Sequence, residues 1–349
     1  MPTDVPECRR AAILGLGQMG LVCASILRST ERSGVPPAVT LWGHSHDEAA
    51  DLAQRRSSSR LPGFELPVDA RVVIPDAEAL DGCDLIVSAV PVQFMRETWK
   101  RLAPSVPAGA AVVSVAKGIE NGTLLRPTQI IAECLDDDPD GPPRPIGCLS
   151  GPTVATELAK CLPATMVAAS EYPGFADRVQ RLFSTSWLRV YTHAELLGVE
   201  LAGATKNVIA IAAGILDGLQ AGSNAKSALL ARGLAEIARL GTAMGASPET
   251  FFGIAGVGDL ATTCFSPEGR NRSCGEALGR GEKLDAYLAR SRFVVEGVET
   301  SRGVAELAKR YRIEMPIASS VHAVLFEGLD PITAIGRLMS RELKGERVG

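Results

Sequence analysis

The chain has little of what several protein classes require. Aromatic residues make up 5% of it and histidine occurs four times. Its eight cysteines form no C-x-x-C pair, and His44 and His46 have no cysteine at metal-ligand spacing, so neither a disulfide scaffold nor a zinc-binding module is indicated. The cysteines read as reduced and mostly buried. One long stretch without charge runs only from 102 to 116 and contains Pro104 and Pro107. That is short of the ~20 apolar residues of a membrane-crossing helix, so no membrane insertion is expected. Near the N-terminus Asp4 and Glu7 precede Arg9 and Arg10, with no apolar h-region or cleavage site, and a cytoplasmic location is the expectation. A net charge of −4 provides no global positive field for nucleic acid. Any anionic ligand must be held by local groups.

What is present is an ordinary globular composition, 46% apolar and 22% charged, over 349 residues. This length exceeds one hydrophobic core and suggests two domains of roughly 100 to 200 residues. In the first half, short apolar runs at 11–14, 38–42, 85–89, 111–115, 146–149 and 165–168 alternate with helical spacing at 20–28 and 47–56. That alternation predicts βαβ units around a parallel sheet, hence an α/β Rossmann-type doubly wound domain over 1–193. The acidic, proline-rich stretch 136–145 reads as a surface connector. From 194 the pattern turns to alanine- and leucine-rich helical spacing, predicting an all-α domain over 194–349. Further helices are expected at 225–244, 248–252, 270–278, 299–310, 317–326 and 331–338. Val199, Ala202, Ile209 and Ala213 are expected near one face of the first long helix. No internal repeat of fixed period is present.

Gly15-Leu16-Gly17-Gln18-Met19-Gly20 follows the first strand and opens a helix, the context that gives G-x-G-x-x-G its meaning. Gly15 permits the tight turn, Gly17 lets the backbone approach a pyrophosphate, and Gly20 allows close helix packing. An NAD-specific site places a carboxylate at the end of the second strand; here that strand ends Trp42-Gly43-His44. NADPH is therefore tolerated, with His44 near the adenine ribose and Arg55 and Arg56 as further candidates, although a solvated helix face suits both. Lys117 lies just beyond a strand's carboxyl end, where ligands bind in open α/β sheets. Ser150-Gly151-Pro152-Thr153 follows another strand and offers either ligand contacts or simple helix capping.

In the second half, Lys206 interrupts a helix of small and apolar residues, and a desolvated lysine acquires a lowered pKa suited to proton exchange. The alternative is a stem packed on apolar surface with its ammonium reaching water. Gly256-Val257-Gly258-Asp259 reads as a glycine-rich turn ending in a carboxylate. Arg270, Asn271 and Arg272 open a helix with donors suited to phosphate.

Taken together these residues resemble the bacterial type of NAD(P)-dependent glycerol-3-phosphate dehydrogenase over nearly the whole chain. The resemblance is carried by Leu41-Trp42-Gly43-His44, Leu61-Pro62-Gly63, Lys117-Gly118-Ile119-Glu120, Ser150-Gly151-Pro152-Thr153, Gly198-Val199-Glu200-Leu201, Lys206-Asn207-Val208-Ile209-Ala210, Arg232-Gly233-Leu234-Ala235-Glu236, Gly258-Asp259-Leu260, Arg270-Asn271-Arg272 and Val294-Val295-Glu296-Gly297. It implies NAD(P)H-dependent, reversible reduction of dihydroxyacetone phosphate to sn-glycerol 3-phosphate, supplying phospholipid synthesis, with no metal and in a homodimer. It implies Lys206 as the proton acceptor and donor and Lys117 as a second catalytic lysine touching substrate and cofactor. Gly151, Thr153, Asp259, Arg270 and Asn271 join these two lysines as substrate contacts. Gly15, Gly17, Gln18, Met19, Gly20, His44, Ala155, Arg270, Val294 and Glu296 fall on the cofactor, as does Lys117. Two departures stand out: Gln18-Met19 where the family commonly has Ser and an aromatic, and Gly269 where it commonly has Ser. A β-hydroxyacid or 6-phosphogluconate dehydrogenase is the first alternative, against which Ala210 counts, since those enzymes typically carry Asn four residues after the lysine. A non-catalytic NAD(P)-binding sensor is the second.

Overall fold

The computed structural model describes residues 8–29, 35–137, 142–343 and 345, so part of the 136–145 connector lies outside the described residues. The chain divides into two compact units, Met1–Ala116 with Pro127–Leu196, and Lys117–Arg126 with Leu197–Gly349. This differs from a single cut at 193/194 because Ile119 and Leu124, both buried, pack in the helical core and carry their segment with them.

The first unit holds strands β1 (Arg10–Leu14), β2 (Ala38–Trp42), β3 (Arg71–Val73), β4 (Leu85–Ser88), β5 (Ala111–Ser114), β6 (Ile146–Ser150), β7 (Ala164–Ala169) and β8 (Leu188–His193). They form one sheet in the order β3-β2-β1-β4-β5-β6-β7-β8, parallel at every pairing except β6 with β7. Its helices are α1 (Gln18–Arg28), α2 (His46–Arg55), α3 (Asp76–Ala79), α4 (Val92–Leu102), α5 (Pro127–Leu135), α6 (Ala155–Ala159) and α7 (Phe175–Phe183). The central strands β4 and β5 are buried at every position, as expected for strands covered on both faces. The order reverses between β1 and β4, and such a switch point opens a crevice beyond the strands' carboxyl ends.

The sequence reading missed both sheet edges. β3 is only three residues long, and β8, Leu-Arg-Val-Tyr-Thr-His, shows a half-buried alternation that follows too closely on the preceding helix to stand out.

The second unit comprises α8 (Leu196–Gly218), α9 (Gly222–Ala243), α10 (Pro248–Phe251), α11 (Asp259–Phe265), α12 (Arg270–Gly279), α13 (Leu284–Arg290), α14 (Glu296–Tyr311), α15 (Pro316–Phe326) and α16 (Pro331–Met339). By length and composition α8 could cross a membrane, but 94% of its apolar window is buried inside the protein. Val199, Ala202, Ile209 and Ala213 are indeed buried, yet so are Ala204, Val208, Ala210 and Ile211, so α8 is enclosed all round rather than on one face. Its glycines bring α12 into backbone contact: a Cβ on Gly214 would stand 1.9 Å from the Arg272 carbonyl oxygen, and one on Gly275 would stand 2.0 Å from that of Ile211. The expected glycine-rich turn at 256–259 is instead a π-helical turn, Ile254–Gly258, running directly into α11. Gly256 is needed because a Cβ there would lie 2.0 Å from the Phe251 carbonyl oxygen.

Candidate active site

In the first unit the glycine loop is shaped by contact. Gly15 has φ +112°, and a Cβ on it would approach the Ala89 carbonyl oxygen to 2.7 Å; on Gly20 it would meet the Gly15 carbonyl oxygen at 2.0 Å. Around Gly17 a Cβ would meet nothing within 4 Å. Gly17 caps α1 without any side-chain bond to the helix's first N–H groups. An open helix N-terminus with free backbone approach fits a dinucleotide pyrophosphate.

The neighbouring candidates have definite occupations. Gln18 donates its amide N–H to the Arg60 carbonyl (2.8 Å), tying the glycine loop to the segment after α2, and Met19 packs against the sheet core. His44 is exposed at the end of β2. Gly43 before it is set by Leu16, whose Cδ1 a Cβ would approach to 2.6 Å. Arg55 pairs with Asp51 at 2.6 Å. Arg56, a left-handed C-cap, donates to the carbonyls of Ala70 and Pro67. Neither arginine is therefore unengaged for a ribose phosphate. Gly151, at φ +123°, and Thr153 follow β6, and Ala155 opens α6, whose cap is Val154 and not the hydroxyl of Ser150 or Thr153.

The second unit gathers Lys117, Lys206, Asp259, Arg270, Asn271, Val294 and Glu296 from the segment Lys117–Arg126 and four helices or their entrances. One carboxylate joins two ammoniums: Asp259 Oδ1 accepts from Lys206 Nζ at 2.6 Å and Oδ2 from Lys117 Nζ at 2.7 Å. Asp259 is 1% exposed, with Lys206 at 8% and Lys117 at 12%. The alternative in which the Lys206 ammonium reaches bulk water is therefore not what the structure has. Lys206 Nζ also donates to the Thr263 hydroxyl.

Burial pushes the Lys206 ammonium down to about 8; Asp259 opposes that and Lys117 reinforces it by repulsion. Glu296, at the first position of α14, is pushed up by burial, with Arg270, Lys117 and Lys206 pulling the other way.

Arg270 is exposed, with Nη1 donating to the Val294 carbonyl at 3.3 Å. Asn271 Oδ1 accepts from the Gly297 N–H at 2.9 Å, joining the start of α12 to that of α14. Gly269 caps α12 with no side-chain bond, so no capping side chain competes for the helix's first N–H groups. Asn207 reaches the Lys117 carbonyl at 3.5 Å. Asn207 and Thr263 were given no role on sequence. Thr263 could have been found from its position one helical turn after Asp259. Among the described residues no group of three or more His, Cys, Asp and Glu is placed to hold a metal ion.

This arrangement can hold an anion at the start of α12 and present an ammonium able to give up a proton near neutrality. Two family models match the chain: the N-terminus of NAD-dependent glycerol-3-phosphate dehydrogenase over residues 10–176, and its C-terminus over 195–336. The chain is 44% identical over 336 residues to a glycerol-3-phosphate dehydrogenase acting with NAD(P)+ from Chlorobium limicola, covering 96% of this chain and 98% of that one. It is 42% identical to one from Salinibacter ruber, covering 96% of each. The crystal structure of glycerol-3-phosphate dehydrogenase from Coxiella burnetii superposes with a TM-score of 0.89 at 34% identity, covering 96% of this chain and all of that one.

Proposed function

This chain belongs to the NAD-dependent glycerol-3-phosphate dehydrogenase family, and we propose that it reduces dihydroxyacetone phosphate to sn-glycerol 3-phosphate, reversibly, with Lys206 as the proton donor. The glycine loop at Gly15, Gly17 and Gly20 and the open N-terminus of α1 would hold NADPH or NADH, which when bound would supply the hydride. Everything else falls to this chain's own side chains. Arg270, Asn271 and the uncapped start of α12 bind the substrate phosphate and so fix the carbonyl. Gly151 and Thr153 add substrate contacts; His44, Ala155, Val294 and Glu296 add cofactor contacts. Lys206 hydrogen-bonds the carbonyl oxygen and passes its proton to the alkoxide, and Lys117 adds positive charge as the negative charge develops. Asp259 holds both ammoniums in place. In the oxidative direction Lys206 is the base.

The observation that carries this reading is the Lys206–Asp259–Lys117 array, one carboxylate shared by two ammoniums and buried in the helical unit. A protein that only sensed the nucleotide would have no use for it. The family match sets aside the β-hydroxyacid and 6-phosphogluconate alternatives. The test is a spectrophotometric assay of dihydroxyacetone phosphate reduction run in parallel with NADPH and NADH. Turnover with either supports the reading, and no turnover with both overturns it in favour of a sensor.

The same proposal places the enzyme in the cytoplasm as a homodimer that feeds glycerophospholipid synthesis. Sedimentation of the purified chain and cell fractionation check the first two points.

A further inference from the structure

The segment Lys117–Arg126 belongs to the helical unit and is held there at both ends by one face of α8. At its start the Lys117 carbonyl accepts from Asn207; at its end the Arg126 guanidinium donates to the Glu200 carboxylate. Glu200 and Asn207 are seven residues apart, two turns along the same helix face. Arg126 is 12% exposed and Glu200 2%. Between these ends Ile119 is fully buried against Gly303, where a Cβ would come within 3.0 Å of it, and Asn121 donates to Glu299 at 2.6 Å.

We propose that the buried Arg126–Glu200 ion pair is a positioning clamp: it sets the register of the segment along α8 and thereby the place of the Lys117 ammonium on Asp259. This rests on the reading of Lys117 and Lys206 given above. An apolar anchor would allow the segment to slip by exchanging one contact for another. A buried ion pair does not, because any slip leaves a charge desolvated and unpaired. Glu200 and Arg126 are thus positioning residues, acting on the reaction only through Lys117.

The consequence reaches Lys206. The charged and titratable groups around its ammonium are Asp259 and Cys264 of α11, Lys117 of the segment and Glu296 of α14. Moving Lys117 away removes repulsion and leaves Asp259 to Lys206 alone. Lys206 then holds its proton to higher pH, and the basic limb of the reduction profile moves up.

The experiment compares the full-length enzyme with Glu200→Gln, Glu200→Asp and the reversed pair Arg126→Glu/Glu200→Arg. Thermal unfolding establishes folding. The readouts are kcat and KM for dihydroxyacetone phosphate and NADPH, the pH profile of kcat, and the rate at which acetic anhydride modifies Lys117, followed by peptide mass spectrometry. Expected for Glu200→Gln are a fall in kcat of about tenfold or more, a basic limb displaced upward and faster modification of Lys117, with partial recovery in the reversed pair. A folded Glu200→Gln enzyme with unchanged limb and unchanged Lys117 modification overturns the clamp, even if kcat falls. If Glu200→Gln does not fold, Glu200→Asp takes its place on the same readouts, and wild-type values there overturn it equally. Lys117 modification needs no turnover, so the clamp can fail while the catalytic reading stands, and the reverse.

Discussion

The two units handle charged ligands in different ways. The first offers backbone: Gly15, Gly17 and Gly20 shape an uncapped helix N-terminus, and the arginines near it are engaged by Asp51, Glu48 and main-chain carbonyls. The second has an uncapped helix start of its own at α12 and adds what the first lacks, two lysines and an aspartate enclosed by helices. Backbone N–H groups bind a pyrophosphate with the same strength across the whole physiological pH range. A desolvated lysine has a titration that its surroundings can place. On the proposed reading the nucleotide unit holds and the helical unit exchanges a proton, so each should be breakable without the other.

The largest break expected is Lys206→Ala. It removes the proposed proton donor and should lower turnover about 10²- to 10⁴-fold while nucleotide affinity, measured by calorimetry, stays near the wild-type value. Next is Gly20→Ala, which does the converse. Its Cβ would be 2.0 Å from a backbone oxygen that cannot retreat without opening the loop. NADPH binding should weaken by at least tenfold, with a stability cost of about 1–3 kcal/mol from overpacking, and the proton chemistry of Lys206 should be unchanged at saturating cofactor.

A third comparison uses pH alone. With Lys206 as the proposed proton donor, the rate of reduction should fall as pH rises through about 8, and oxidation should rise over the same interval. Lys206 is depressed from its ordinary value, so between about 8 and 10.5 the unfolded chain binds more protons at this site than the folded one. Its contribution to stability therefore increases with pH across that window and is lost as pH falls through about 8. Denaturant unfolding of wild type and Lys206→Ala at several pH values checks the sign.

The smallest effect concerns Glu236, buried on α9, whose carboxylate accepts the first N–H groups of α15 from Ile317 at 2.8 Å and Ala318 at 3.1 Å. Glu236→Ala should cost about 1–2 kcal/mol as a lost cap and leave kcat within a factor of two or so. A large loss of kcat would show that α15 bears on the site.

Legibility in the sequence followed the same division. The inner strands and the glycine loop could be read because their signals are local: an apolar run, a glycine at fixed spacing, a helix after it. Lys206 and Asp259 stood out as charged residues among small or apolar ones. What escaped was set by distant partners. Arg56 reads as part of a solvated helix face, yet it caps α2 and bonds two carbonyls more than ten residues on. Gly256 and Gly258 read as a turn because glycine usually marks one, but here Gly256 permits a close approach to Phe251 inside continuous helix. The attachment of Lys117 to the helical unit depends on Glu200 and Asn207, far along the chain, and no periodicity within 117–126 announces it.

The central claim is that one buried ammonium moves the proton, and chemical rescue tests it most directly. Lys206→Ala is assayed for dihydroxyacetone phosphate reduction with increasing methylamine. The account predicts a nearly inactive enzyme whose turnover recovers in proportion to the protonated amine, with nucleotide binding constant throughout. A variant that retains most of the wild-type turnover and ignores the amine would contradict it.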